Sequence, residues 1–115
     1  MKTKLLKNNI FRFDVEVIYS TKKHELEKQF KKHRLDIDFP DYDFDDFDWS
    51  FFYDNSLWLW FLFLCKKKPS VIAHEVLHIV TRLCKSCGIP ISHENDETMA
   101  YLIWWYMEEI TKITK

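Results

Sequence analysis

The chain is poor in the residues that make tight turns, with one Gly and three Pro among 115 residues. That scarcity favours regular elements over a loop-rich or disordered chain. Cysteine is also sparse: three residues, at 65, 84 and 87. An odd set of three, without a secretory leader, speaks against a disulfide framework and for free thiols in a reducing compartment. The opening MKTKLLKNNIFRFDVEV is basic but lacks the apolar run of a signal peptide. The longest apolar run, residues 57–65, is nine residues, far short of the roughly 20 a membrane-spanning helix needs. A net charge of −1 removes any general attraction to nucleic acid or anionic lipid. The expectation is a cytoplasmic, soluble protein with neither a membrane nor a nucleic-acid partner.

What is present is apolar and aromatic residues, at 47% and 17% of the chain. At this length they suit one domain, residues 1–115, with its own core. Charge is strongly segregated. Residues 36–54 contain eight Asp and no Lys or Arg, a local charge of −8, so the rest of the chain sums to +7. Such segregation points to a defined surface, an internal pairing or a partner.

Phe11, Phe13, Val15, Val17 and Tyr19 alternate with polar residues, the period of a half-buried strand. Residues 21–34 are rich in Lys, Glu and Gln with Leu26 and Phe30 four apart, which predicts a polar helix with a thin apolar stripe and Thr21 as N-cap. Residues 35–54 read as an extended loop or irregular strand. SLWLWFLFL, residues 56–64, suits a strand buried on both faces, and its periodicity alone also allows a short helix. Pro69 then suits a first helical turn, Ile72, Val76, Ile79 and Leu83 follow at helical spacing, and Gly88 is the natural stop. A last helix is expected from Asn95 or Asp96 to about Ile113. The first part, residues 1–68, thus reads strand, helix, acidic loop, strand, and residues 69–115 read as two helices.

The second of these helices in the count, starting at Pro69, carries HEVLH at residues 74–78. Residues four apart share a helix face, so His74 and His78 can reach one ion, and Zn²⁺ takes imidazole nitrogen readily. Glu75 lies beside the first histidine, where a carboxylate can accept a proton from an activated water. A third ligand has to come from elsewhere. His93, Glu94, Asp96 and Glu97 are the candidates, all just beyond the turn at Gly88. Glu97 is favoured because it shares a face with Ala100, Tyr101 and Trp104 and precedes a small residue that allows close helix approach. The competing view is a core helix with two hydrogen-bonded histidines.

HEVLHIVTRLC…NDETMAYL resembles the core of the small gluzincin-type zinc metallopeptidases, in which HExxH is followed on the next helix by Glu and then ExxA. The positions that match are His74, His78, Glu97 and Ala100. The resemblance implies zinc on His74, His78 and Glu97, with Glu75 as general acid and base. The stretch ending in AYLIWWYMEEI is also similar to small HExxH proteins encoded by tailed bacteriophages. Together these stretches cover residues 70–110. No group to stabilise an oxyanion is prescribed; Tyr101 and His93 are candidates.

The expected fold is α+β: a short sheet of about two to three strands, an amphipathic helix over it, and the HExxH helix packed on a C-terminal helix, a zincin-like minimal core. The expected function is zinc-dependent peptide-bond hydrolysis, with a peptide or protein substrate aligned beside the strand at residues 57–64 if that strand is a sheet edge. One alternative is a phage virion or assembly protein with a structural or vestigial zinc site, located in the host cytoplasm or the particle. Another is an interaction protein binding a host factor through residues 36–54. Alternate Asp at 41, 43 and 45 lack the Gly and closing Glu of a calcium loop. The Cys84–Cys87 pair has metal or redox spacing but no second pair, so two free thiols is the simpler account. Tyr101, Trp104, Trp105 and Tyr106 cover more than one helix face and point to a homo-oligomer or a larger assembly.

Overall fold

A computed structural model describes residues 1–8, 13–33, 50–54 and 59–115. The fold is α+β. Strand β1 (Lys2–Lys7) leads to β2 (Asp14–Tyr19) and helix α1 (Lys23–Lys32). Then come β3 (Ser50–Asp54), β4 (Leu59–Leu64), α2 (Pro69–Ser86), a 3-10 turn (His93–Asn95) and α3 (Asp96–Thr114). The four strands form one mixed sheet in the order β1-β2-β4-β3. β2 and β4 are parallel, with Val15 opposite Trp60 and Val17 opposite Leu62, and both outer pairings are antiparallel.

β4 reads as expected: Trp60 through Leu64 are all buried, as a strand covered on both faces requires. Its side chains divide between two cores. Phe61 and Phe63 join Ile18, Leu26, Phe30 and Cys65 under α1. Trp60, Leu62 and Leu64 join Val15, Val17 and the buried stripes of α2 and α3 on the other face. The protein is therefore three layers, and burying Leu26 and Phe30 contributes roughly 2 kcal/mol each to attaching α1. Within the two-helix layer, α2 lies towards β3 and α3 towards β1, where Lys4 pairs with Glu109 at 3.5 Å.

Three expectations need correction. The sheet has four strands rather than two or three, because β1 buries only Leu6 of its six residues. An edge strand so polar carries no alternation to read. Of the stretch read as an extended loop or irregular strand, Ser50–Asp54 is the outer strand β3. β4 has partners on both sides, so it is not the edge that could receive a peptide. Thr21 does not cap α1; the Ser20 hydroxyl does the local work, accepting from the Lys22 N–H at 3.1 Å and donating to Glu25 Oε1 at 2.6 Å. Phe11, the acidic stretch before Ser50 and residues 55–58 lie outside the described residues.

Both ends of α2 follow their sequence signals. Pro69 occupies the first turn. Gly88 sits at φ +70°, with its N–H on the Lys85 carbonyl at 3.3 Å and the Ile89 N–H on the Cys84 carbonyl at 2.8 Å. That paired closure is the Schellman motif, which needs a left-handed residue where Gly88 stands. Among the described residues no helix is long and apolar enough to cross a membrane.

Candidate metal and hydrolytic site

The site is a product of the periodicity of α2. Val71, Ile72, Val76, Ile79, Val80 and Leu83 are buried, and this stripe anchors the helix to the sheet and to Leu102, Tyr106 and Ile110 of α3. His74 and His78 fall on the opposite, exposed face, stacked by one turn with ring centroids 4.8 Å apart and rings nearly perpendicular. Their Nε2 atoms stand 3.2 Å apart. Two imidazole nitrogens bound at tetrahedral angles to one zinc ion would be about 3.3 Å apart, given bonds of about 2.0–2.1 Å. The spacing suits a shared cation and equally a hydrogen bond between the two imidazoles, and with His74 67% exposed these are not core histidines.

Glu75 points the other way, into the seam between α2 and β3, and is only 3% exposed. Its Oε1 accepts a hydrogen bond from the Ser50 hydroxyl at 2.6 Å and lies 3.8 Å from His74 Nε2. Its Oε2 is buried with no partner among the described residues. A buried carboxylate oxygen without a donor is costly, and such atoms are rare in folded proteins. A shallow hollow of about 270 Å³, lined by Ser50, Ser70, Val71 and His74, opens beside it. Nothing in the pattern WSFFYD singles out Ser50; only the register that sets it opposite Leu64, at the end of β4 that leads into α2, brings it to Glu75.

Glu97 does not join the histidines. Among the described residues no three His, Cys, Asp or Glu side chains are grouped to hold a metal. The reason is directional. His74 and the end of α2 at Ser86 are separated by about 18 Å of helix, and α3 begins at that far end. α3 also packs on the flank of α2 away from β3. His93, Glu94, Asp96 and Glu97 are all exposed there, with His93 Nδ1 3.7 Å from Asp96 Oδ2. Tyr101 is exposed on α3 against Trp104, so neither oxyanion candidate reaches the site.

None of the three cysteines is in a disulfide. Cys65 belongs to the core under α1 and Cys84 to the core on the other face of the sheet, so they form no common site. Burial pushes the Cys84 thiol above its ordinary pKa, which disfavours the thiolate that metal binding or redox chemistry needs.

No protein-family model, curated protein or solved structure matches the chain.

Proposed function

We propose that the chain is a zinc-dependent peptide hydrolase in which His74 and His78 hold the metal and Glu75 is the general base. The observation that carries this reading is the convergence of the two Nε2 atoms at 3.2 Å with the Glu75 carboxylate 3.8 Å from one of them. A bound zinc ion supplies Lewis acidity, polarising a carbonyl and lowering the pKa of water towards 7. Glu75 suits the proton traffic. Its Oε1, the carboxylate oxygen nearer His74 and held in place by the Ser50 hydroxyl, would accept the proton of an attacking water and return it to the departing amine.

β3 supports a peptide substrate. Among the described residues it is hydrogen-bonded on one side only, by β4, and it begins at Ser50 beside Glu75. An extended peptide laid along that outer edge would take main-chain hydrogen bonds from β3 next to the base. The free thiols suit a cytoplasmic setting.

The test is metal content and peptide cleavage in the purified protein. Stoichiometric zinc should be lost in His74→Ala and His78→Ala and retained in Glu97→Ala, and Glu75→Gln should keep zinc but lose cleavage. Wild-type protein that takes up no zinc, or Glu75→Gln that cleaves as well as wild type, overturns the reading. A second reading, an assembly protein with a vestigial site, accords with the absence of a third grouped donor among the described residues. It predicts zinc bound without any cleavage.

A further inference from the structure

Helix α3 exposes two large aromatics: Trp104 is 58% and Tyr101 48% exposed, with their rings 6.1 Å apart. They lie on a continuous outward stripe formed by Glu97, Tyr101, Trp104, Glu108 and Lys112, all exposed. The opposite face of the same helix, Leu102, Tyr106, Ile110 and Ile113, is already committed to the core. The stripe is therefore surplus to folding, and paired exposed aromatics of this kind mark interfaces.

The order of residues along the stripe selects the occupant. It reads acid, phenol, indole, acid, base, and it is self-complementary when reversed. In an antiparallel pair of α3 helices with a two-fold axis beside Trp104, Glu97 of one copy meets Lys112 of the other. Tyr101 then meets Glu108, as hydroxyl donor to carboxylate, and the two Trp104 rings meet at the axis. A parallel pair would instead set Glu97 on Glu97 and Lys112 on Lys112. A groove of about 360 Å³ beside Trp104, lined also by Met107, Glu108, Thr111 and Lys112, gives the partner's aromatics a place to seat. Among the described residues Lys112 pairs with Glu109 at 3.3 Å, a contact that leaves it able to turn outward.

We infer that the protein forms an isologous dimer through antiparallel packing of the Glu97, Tyr101, Trp104, Glu108 and Lys112 face of α3. The dimer is independent of the metal site, since His74 and His78 lie on α2. A patch of this length buries about 1,000 Å², near the lower bound for a specific interface, so the association is concentration-dependent.

Sedimentation equilibrium of the full chain decides the matter. Wild-type protein should approach twice the 14.1 kDa chain mass as concentration rises. Trp104→Glu should raise the dissociation constant at least about 30-fold, as loss of a central aromatic does, with its helical circular dichroism unchanged. Glu97→Lys and Lys112→Glu should each weaken the dimer, and an equimolar mixture of the two should restore it as a heterodimer. The weakening by each single reversal is what marks the antiparallel register. In a parallel pair a reversal only exchanges one like-charge contact for another, and the mixture would associate more tightly than wild type. Wild-type protein that stays monomeric at high micromolar concentration, or a dimer indifferent to both Trp104→Glu and the charge reversals, overturns the inference.

Discussion

Glu75→Gln should stabilise the metal-free protein. In the wild type a carboxylate is 3% exposed, holds one hydrogen bond from Ser50, and leaves Oε2 buried without a partner among the described residues. Gln keeps the shape and keeps an acceptor for Ser50 but removes the buried charge. An unsatisfied buried charge costs more than the roughly 1–3 kcal/mol of a neutral group, so the exchange should gain about 1–2 kcal/mol. Unfolding entropy near about 2.1 cal/mol/K per residue makes 1 kcal/mol worth about 4 °C for a chain of 115 residues. The expected rise in Tm is therefore about 4–8 °C. Calorimetry with a chelator is the assay, because it removes metal from the comparison. Ser50→Ala strips the carboxylate of its remaining donor and should cost about 1–3 kcal/mol in the wild type, and less in the Glu75→Gln background. A Glu75→Gln protein that melts below wild type would show that the carboxylate serves the fold. The reasoning that stability is given up there for proton transfer would then fail.

Two further outcomes concern the scaffold. Tyr106 is fully buried, its hydroxyl has no partner among the described residues, and its ring packs edge-on to Trp105 at 4.9 Å. Tyr106→Phe should therefore gain about 1 kcal/mol in urea unfolding, and a lower midpoint would contradict this. Burial, aided by Asp14 and then Cys87, pushes the Tyr106 phenol up to about 12 from its ordinary 10. Because the folded value is the higher, stability is intact below pH 10 and falls as pH rises from 10 towards 12; Tyr106→Phe should flatten that alkaline limb. Gly88→Ala should cost about 1 kcal/mol through backbone strain alone, since φ is +70° and an added Cβ meets nothing within 4 Å. A loss beyond about 3 kcal/mol would mean the turn carries packing that its geometry does not show.

Much of the scaffold was legible in local pattern, and the failures have a common cause. The span of α2, its Pro69 start and its Gly88 stop are written in residues that act on their own backbone, so no distant partner is needed to read them. β4 was legible as an apolar run of strand length bounded by polar residues, although its periodicity alone left a short helix open. β1 was silent because an edge strand with one buried residue leaves no period. Thr21 missed the cap position because α1 begins one residue later than its hydroxyl suggested, with Lys22 at the N-cap and no side-chain cap, while Ser20 Oγ takes the Lys22 N–H.

The histidine pair itself was determined by sequence alone, because a spacing of four on a helix fixes a shared face whatever the fold does. Tertiary structure decided everything that depends on the direction of a second element. It turned Glu75 into the seam with β3 and supplied Ser50 as its donor through strand register. It placed Glu97 at the far end of α2 and on its other flank, where no local signal could have put it. Short range is what a sequence pattern encodes. The site is built at long range, across 25 residues between Ser50 and Glu75, where only packing chooses the neighbours.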